Sequence, residues 1–380
     1  MVVVNPVTAL AGLRRAMHGG ALAGALTPLL GDIHRVDWLR LVDTDRGFSA
    51  EVNAGTQAGP RLVTLEFVDE DVEERAAMVR RRLAKPSRAQ LVDPDQVIAS
   101  RDLSMVASQA GLDVRLMGLD LFHDPDRRTE MLGDLVGEPS TTQLLAHRLG
   151  KRAVFRVTGP GGSVIVKVVK HRSPLNDQVK NLAALLDGRV SVPRIIRSFP
   201  ERNALVWEDL GAARLDLDDP AVTRRVARLT RALHESSIIG VGIHSVRDEC
   251  QVIERHTNLA SAVRPESEDA IRRLGADALA VLTGMPSTMP RLVHRDLHPG
   301  QVASRGSDMV LIDLDTVTMG DPAMDVGNLA AHLGGDTAER LVEEYASERA
   351  VVERVVGWRR VSTRRLELQS LALGLSTESP

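Results

Sequence analysis

The stretch from Leu292 to Asp315, LVHRDLHPGQVASRGSDMVLIDLD, concentrates side chains whose types and spacing suit acid–base and metal chemistry. Asp296 closes a His-Arg-Asp triplet, Gln301 follows it by five residues, and Asp313 comes directly after the apolar run MVLI. A charged side chain among hydrophobic residues is costly to bury unless something compensates it. The stretch therefore predicts a cation held close to a proton acceptor.

The segments that flank these side chains must fold back on each other to bring them together. RLVH, residues 291–294, predicts a short buried strand, and Pro299-Gly300 forces a loop. DMVLIDLD, residues 308–315, predicts a second strand that carries Asp313 and Asp315. We expect the two strands to bracket the loop in a hairpin-like arrangement.

Such an arrangement assigns each side chain a role. Asp313 and the amide oxygen of Gln301 are hard oxygen ligands of the kind that suits Mg²⁺. Asp296 is then available to orient a substrate hydroxyl and accept its proton. Two alternatives stay open for Asp315, which is either a second metal ligand or an exposed acid at the end of the strand.

The motif resembles the catalytic unit of kinases, in which an Asp base, an amide five residues later and a metal-binding Asp act together. More closely, HRDLHPGQ and LIDLDTVTMGDPAMDVGNLAAHL resemble the aminoglycoside phosphotransferase/choline kinase family. That family carries a His-x-Asp-x-His-x-x-Asn/Gln loop, an Ile-Asp strand and a Gly-Asp-Pro-x-x-Asp segment. The resemblance covers roughly residues 140–335 and includes a helix ending in Leu-His within LTRALHES, Leu229–Ser236.

This resemblance implies an α+β, two-lobed protein-kinase-like fold, with a small β-rich lobe, a helical lobe, and an additional N-terminal α+β domain. It implies ATP and Mg²⁺ as cofactors. Asp325 would brace the catalytic loop, and Asp321 would either act directly or only cap the helix that starts near Pro322. His298 would either orient Asp313 or fill a buried polar position.

The β-rich lobe is expected to bind the nucleotide. In SVIVKVVK the strand pleat puts Lys167 between Ile165 and Val169 on one face, where a lysine is costly unless an anion meets it. The resemblance makes Lys167 the phosphate-contacting lysine. The turn in HRLGKRA would lie over the nucleotide, with Gly150 as its one glycine and Lys151 supplying positive charge.

LVWEDLG resembles the hinge of the family, whose backbone groups would meet adenine at Glu208, Asp209 and Leu210. One feature departs from the kinase pattern. Kinases pair the strand lysine with a helix Glu, yet NDQVKNLAALL contains none, and Asp177 or Gln178 is the nearest alternative.

A chain of 380 residues is too long for one core, and its patterning predicts three units. Residues 1–138 would form an N-terminal α+β cap or docking domain, 139–210 the β-rich nucleotide-binding lobe, and 211–380 the helical catalytic lobe. The first unit opens on an amphipathic helix pair. It continues with strands at Val36–Asp43, Gly47–Ala54 and Arg61–Val68 and a helix within EDVEERAAMVRRRLAK, residues 70–85.

Composition excludes several classes of function. Aromatic residues make up only 2% of the chain and the net charge is −3, so neither base stacking nor a basic footprint for nucleic acid is expected. The single cysteine, Cys250, excludes an intrachain disulfide and fits a reducing compartment. Arg14 and Arg15 interrupt the apolar start well short of a membrane span, so no membrane association and a cytoplasmic location are expected.

These features predict an ATP-dependent O-phosphotransferase that acts on a hydroxyl of a small molecule, of the aminoglycoside, sugar or amino-alcohol type. Two alternatives stay open. One is a peptide Ser/Thr kinase that docks a peptide or protein partner through the N-terminal domain. The other is a nucleotide-binding pseudokinase, motivated by the missing helix Glu. The acids of ARLDLDDP, Ala213–Pro220, are either an attractant for a cationic acceptor or part of a solvated loop.

Overall fold

The computed structural model describes residues 7–18, 20–85, 90, 93–211, 215–238, 241–346 and 348–375. Its residues divide into two units by their contacts. The first takes in Met1–Asn176, Ile195–Asp209 and Ala372–Leu375, and the second Asp177–Arg194, Leu210–Leu371 and Ser376–Pro380. The break between Asp209 and Leu210 falls within the predicted hinge.

The N-terminal part of the first unit is a five-stranded antiparallel sheet with helices. The predicted helix pair, three strands and following helix are confirmed, and the strands β4 and β5 were not predicted. The order in the sheet is β1-β2-β3-β5-β4. The elements are α1 (Val7–Met17), α2 (Ala21–Leu30), β1 (Ile33–Thr44), β2 (Gly47–Thr56), β3 (Gly59–Val68), α3 (Val72–Leu83), β4 (Val97–Ser100) and β5 (Met105–Gln109).

A second five-stranded antiparallel sheet forms the predicted β-rich lobe. Its order is β6-β7-β8-β10-β9. Lys167 lies in the central strand, paired with Val154 on one side and Leu205 on the other. The elements are α4 (Asp120–His123), α5 (Pro125–Val136), β6 (Thr141–Arg148), β7 (Arg152–Gly159), β8 (Gly162–Val169), β9 (Ile195–Phe199) and β10 (Ala204–Glu208). The helix between β8 and β9, α6 (Leu175–Leu186), lies in the second unit from Asp177 onward.

One hydrophobic cluster joins this sheet to the segment that precedes it. The side chains of Val164, Val166 and Val168 are buried on one face of β8, opposite the face that carries Lys167. Residues upstream of 139 complete the same cluster, namely Leu116, Leu119, Leu121, Leu132 and Val136. The segment 116–136 therefore shares a core with the β-rich lobe.

The second unit is mainly helical, as predicted, and within the described ranges every helix is too short or too polar to cross a bilayer. Asp219 caps α7 by accepting the N–H of Ala221 at 2.8 Å. The elements are α7 (Pro220–His234), α8 (Val246–Val263), α9 (Glu268–Gly284), β11 (Arg291–Val293), β12 (Val302–Arg305), β13 (Asp308–Leu311), β14 (Thr318–Gly320), α10 (Pro322–Ala331), α11 (Gly335–Tyr345) and α12 (Arg349–Leu373).

The strand pairing around residues 292–315 differs from the predicted hairpin. The strand β11 pairs with β14, and the hairpin between them joins β12 to β13. The predicted strand over 308–315 is too long, because β13 ends at Leu311 and Asp313 adopts a left-handed backbone conformation, with φ +57°. A left-handed residue cannot continue an extended strand, so Asp313 and Asp315 lie in the connection that follows it.

The predicted boundary at residue 138 stays a prediction, and the shared cluster suggests a sharper test. A chain that starts at Pro139 loses five buried members of the cluster, whereas one that starts at Gly111 keeps them. We expect the shorter chain to unfold at a lower temperature, because each buried Leu or Val contributes about 1.5–3 kcal/mol. Thermal unfolding of both chains measures the difference, and equal midpoints would contradict a shared core.

Candidate active site

The loop that carries Asp296 is tied at its start to the segment that carries Asp313. The imidazole of His294 is fully buried, and its Nε2–H donates to the carbonyl oxygen of Ile312 at 2.8 Å. The Thr316 hydroxyl donates to the carbonyl oxygen of His294, also at 2.8 Å. Asp296 follows His294 by two residues and Asp313 follows Ile312 directly, so these bonds bring the two acids to neighbouring stretches of backbone.

Gln301 is brought to the same place by the β12–β13 hairpin. The N–H of Ile312 donates to the carbonyl oxygen of Gln301 at 2.9 Å, which extends the pairing of Val302 with Leu311 by one step. The side chain of Gln301 is buried. The structure thus brings Asp296, Gln301 and Asp313 together around the backbone of Ile312, through a different strand pairing from the predicted one.

Asp325 braces the loop through hydrogen bonds to the backbone at its start. Its side chain is fully buried, and its two oxygens accept the consecutive N–H groups of His294 at 2.6 Å and Arg295 at 2.7 Å. Arg295 has a φ of +71°, a conformation that costs energy for a residue other than glycine and persists only where its surroundings enforce it. These contacts match the bracing role that the resemblance implied for Asp325.

A histidine and a tyrosine orient the Asp325 carboxylate. Burial, and then the charge of Asp325, raise the pKa of the Tyr345 hydroxyl to about 12, so it stays protonated. It donates to His234 Nδ1 at 2.7 Å, which leaves the proton on Nε2, and Nε2–H donates to Asp325 at 3.0 Å. His234 is the predicted Leu-His at the end of α7, so the sequence motif has a structural role here.

The Asp321 carboxylate contacts the helices α10 and α12. One of its oxygens accepts the N–H of Ala323 at 3.1 Å and so caps α10. The other accepts from Arg354 Nε at 2.7 Å and from the indole N–H of Trp358. With both oxygens occupied, the structure favours the capping alternative for Asp321.

A second set of hydrogen bonds, which the sequence did not predict, links the loop to α12 through Asn328. The Asn328 amide donates to the carbonyl oxygen of Leu297 at 2.8 Å, and Arg365 donates to the oxygen of that amide at 2.6 Å. Arg365 also contacts Glu249 at 3.2 Å, and Glu249 bonds His244 Nε2 at 2.9 Å. The only sequence signal is the position of Asn328, three residues beyond Asp325 in the matching segment.

The buried Glu249 stays ionised within this set of hydrogen bonds. Burial alone would raise the pKa of its carboxyl group, but the hydrogen bond from His244 and the charge of Arg365 outweigh burial and lower it. An anion is therefore available at neutral pH to hold Arg365 in place.

The predicted donors for a metal are Gln301, Asp313 and, in one alternative, Asp315. Among the described residues, no group of three or more His, Cys, Asp or Glu side chains could hold a metal ion. An amide and one or two carboxylates nevertheless fit Mg²⁺, which typically binds few protein oxygens and completes its shell with water and phosphate oxygens. Asp315 lies in the turn Leu314–Thr316, half-buried, and both alternatives for it stay open.

The predicted nucleotide-binding residues belong to the β-rich lobe and its hinge. Lys167 is buried in mid-strand, Gly150 and Lys151 lie in the turn between β6 and β7, and β10 ends at Glu208. The Asp209 carboxylate accepts from Arg156 at 2.5 and 3.1 Å, and from the Ser163 hydroxyl at 2.7 Å. Because its side chain is engaged in the sheet, any ligand contact of Asp209 falls to its backbone, as the hinge prediction requires.

The acids of the loop before α7 are engaged in hydrogen bonds within the protein. Asp218 accepts from the Thr337 hydroxyl at 2.5 Å, Asp219 caps α7, and Asp216 accepts the N–H of Asp218 at 3.0 Å. These contacts favour the structural alternative over an attractant for a cationic acceptor.

Comparison with known proteins decides the family. The model of the phosphotransferase enzyme family matches residues 141–362, more than half of the chain. This chain belongs to the phosphotransferase enzyme family. It is accordingly a phosphotransferase enzyme with the predicted α+β, protein-kinase-like fold. The match begins at β6 and leaves out the N-terminal sheet. A comparison with curated protein sequences found no match.

The chain is also similar to several solved structures. An aminoglycoside 2′-phosphotransferase in complex with GDP is 16% identical, with a TM-score of 0.50, over 65% of this chain and 91% of its own. A choline/ethanolamine kinase family protein from Mesorhizobium loti is 19% identical, with a TM-score of 0.49, over 65% and 85%. A spectinomycin phosphotransferase is 14% identical, with a TM-score of 0.48, over 67% and 90%.

The bracing of the loop can be tested with Asp325→Asn. The amide keeps the shape of the side chain but sets an NH₂ group against one of two backbone N–H donors. We expect a loss of about 2–5 kcal/mol in the free energy of unfolding, since a buried polar group loses its partner in a charged network. Chemical denaturation measures it, with the exposed Asp187→Asn as control. Equal stability of the two variants would contradict the brace.

Proposed function

We propose that this phosphotransferase moves the γ-phosphate of ATP to a hydroxyl group of a small molecule, with Asp296 as the general base. The observation that carries the proposal is the geometry around Ile312. Hydrogen bonds to its N–H and carbonyl oxygen hold the Asp296 loop, the hairpin residue Gln301 and the segment of Asp313 together. A proton acceptor beside hard oxygen ligands is what phosphoryl transfer to an alcohol requires.

In the proposed reaction the acceptor hydroxyl hydrogen-bonds to the Asp296 carboxylate. Its oxygen attacks the γ-phosphorus, and a new oxygen–phosphorus bond forms as the bond from that phosphorus to the bridging oxygen of ADP breaks. The hydroxyl proton passes to Asp296, and ADP leaves. The brace on His294 and Arg295 lies within two residues of the base, so it limits the positions that the carboxylate can adopt.

Gln301, Asp313 and, in one alternative, Asp315 would hold Mg²⁺. When bound, this ion neutralises the charge of the phosphate oxygens that develops during transfer. The left-handed backbone of Asp313 supports this role, because strained residues persist where the surrounding structure enforces them, often at functional sites.

The nucleotide would be bound by residues of the β-rich lobe and the hinge. The ammonium group of Lys167 would contact the phosphates from mid-strand, and the turn with Gly150 and Lys151 would cover them. Backbone groups at Glu208, Asp209 and Leu210 would meet the adenine. The position of Lys167 supports this assignment, since it lies in mid-strand on the face of β8 opposite the hydrophobic cluster.

The acceptor would be an aminoglycoside, a sugar or an amino alcohol. The similar fold of an aminoglycoside phosphotransferase supports this range. A peptide Ser/Thr kinase is the second candidate, because the N-terminal sheet lies outside the family match and offers a surface for a peptide or protein partner. A screen that follows γ-phosphate transfer to small alcohols and to Ser/Thr peptides separates the two, and ATP binding without transfer would instead support a pseudokinase.

Two neighbouring carboxylates should give different kinetic signatures. Asp296→Asn should lower kcat by about 10²–10⁴-fold, the contribution of a general base, with KM for ATP nearly unchanged. Asp313→Asn should raise the magnesium concentration needed for activity, because an anionic oxygen ligand is lost. Titration of magnesium and ATP against each variant measures this, with exposed Asp308→Asn on the same hairpin as control. Identical mild losses in both variants would contradict the assignment.

Lys167→Ala should raise KM for ATP while the chain stays folded, because the phosphate contact is lost. Lys170→Ala is the matched control, since Lys170 is exposed just beyond the end of the same strand. Steady-state kinetics and nucleotide titration compare the two. If both variants bind ATP as the wild type does, neither lysine is the phosphate contact.

A further inference from the structure

The nucleotide turn between β6 and β7 is held by a carboxylate from outside the matched family region. The N–H of Gly150 donates to Asp113 Oδ2 at 2.5 Å, and Gly150 has a φ of +70°, which favours glycine. Asp113 is 2% exposed, and the family match begins only at residue 141. The carboxylate that orders this turn therefore comes from the N-terminal region.

Asp113 is itself fixed in place by its neighbours. Its other oxygen accepts the N–H of Arg115 at 2.7 Å, and its own N–H donates to the Gln90 side chain at 2.9 Å. The amide of Gln90 donates in turn to the carbonyl oxygen of Leu116 at 2.8 Å, and Gln90 is fully buried. The acceptor for Gly150 is thus set before any ligand is present.

His147, at the end of β6, couples the strand to the same carboxylate. Its Nδ1 accepts the N–H of Gly111 at 3.1 Å, which leaves the proton of a neutral imidazole on Nε2. Nε2 lies 3.4 Å from Asp113 Oδ2, and both side chains are buried. Asp113 Oδ2 therefore lies next to both the His147 side chain of β6 and the N–H of Gly150 in the turn.

Hydrogen bonds hold the turn beside a cavity. The cavity has a volume of about 210 Å³ and is lined by Asp113, Arg115 and Gly150 among others. The Arg115 side chain packs against Gly150, and the Lys170 N–H donates to the carbonyl oxygen of Lys151 at 2.9 Å. Loss of the Asp113 contact would leave the Gly150 N–H without its acceptor.

We propose that Asp113 is a positioning residue that holds the Gly150 turn in its ATP-binding conformation, so that the N-terminal region contributes to nucleotide binding. The inference rests on the proposed function, in which this turn covers the phosphates. Turns of this kind in kinases commonly carry several glycines. Here one glycine is enough because an external carboxylate fixes the backbone, which lowers the cost of ordering the turn when the nucleotide binds.

The test is Asp113→Asn in the full chain. The amide of the new side chain sets an NH₂ group against one of the backbone N–H donors, so one hydrogen bond is lost. We expect KM for ATP to rise about tenfold or more, because a hydrogen bond to a charged group typically contributes that much. The value of kcat at saturating ATP should change by less than about threefold. Exchange of the Gly150 amide hydrogen should become faster. Asp120→Asn is the matched control, because Asp120 is a buried acid of the same region that pairs with Arg202 at 3.0 Å.

An Asp113→Asn variant that loses only stability, as Asp120→Asn does, with an unchanged KM for ATP, would overturn the inference. Should Asp113→Asn fail to fold, His147→Gln removes one neighbour of the carboxylate and should raise KM for ATP in the same direction by less. An unchanged KM for ATP in that variant would overturn the inference too. If the wild type transfers no phosphate from ATP, the proposed function itself fails, which differs from an active wild type with insensitive variants.

Discussion

The position of the loop that carries Asp296 depends on one buried carboxylate. Asp325 accepts two consecutive backbone N–H groups, and through them it holds Arg295 at a positive φ that an arginine would not otherwise adopt. Without an anion at that point, two N–H donors would be buried unpaired. The direction in which Asp296 leaves the loop follows from this constraint, because only Arg295 separates the braced His294 from Asp296.

Around this carboxylate the protein arranges buried charges so that each has a counterpart. Asp321 is paired with Arg354, and Glu249 with Arg365 and His244. Buried ion pairs contribute little net stability, but removal of one member is costly, so they fix positions more than they strengthen the fold. The C-terminal helix α12 supplies both arginines. The loop that carries Asp296 is thus positioned by residues as far along the chain as α12.

In the β-rich lobe a second buried carboxylate, that of Asp113, likewise accepts a backbone N–H. Asp113 pairs with the turn glycine much as Asp325 pairs with the catalytic loop, and in both cases a carboxylate accepts backbone N–H groups of a segment distant in sequence. The shared hydrophobic cluster between residues 116–136 and the sheet adds the apolar part of this support. The N-terminal region is therefore part of the structural unit that contains Lys167.

The sequence by itself determined the features that depend on interactions between residues close together in the chain. The spacing of Asp296, Gln301 and Asp313, the alternation that buries Lys167 in mid-strand, and the helix within residues 70–85 follow from spacing, period and propensity, which act within a few residues. Only the tertiary structure decided that β11 pairs with β14, and that Asp113 contacts Gly150 across 37 positions. Long-range pairing is chosen among many compatible partners by the packing of the folded chain, which no local pattern encodes.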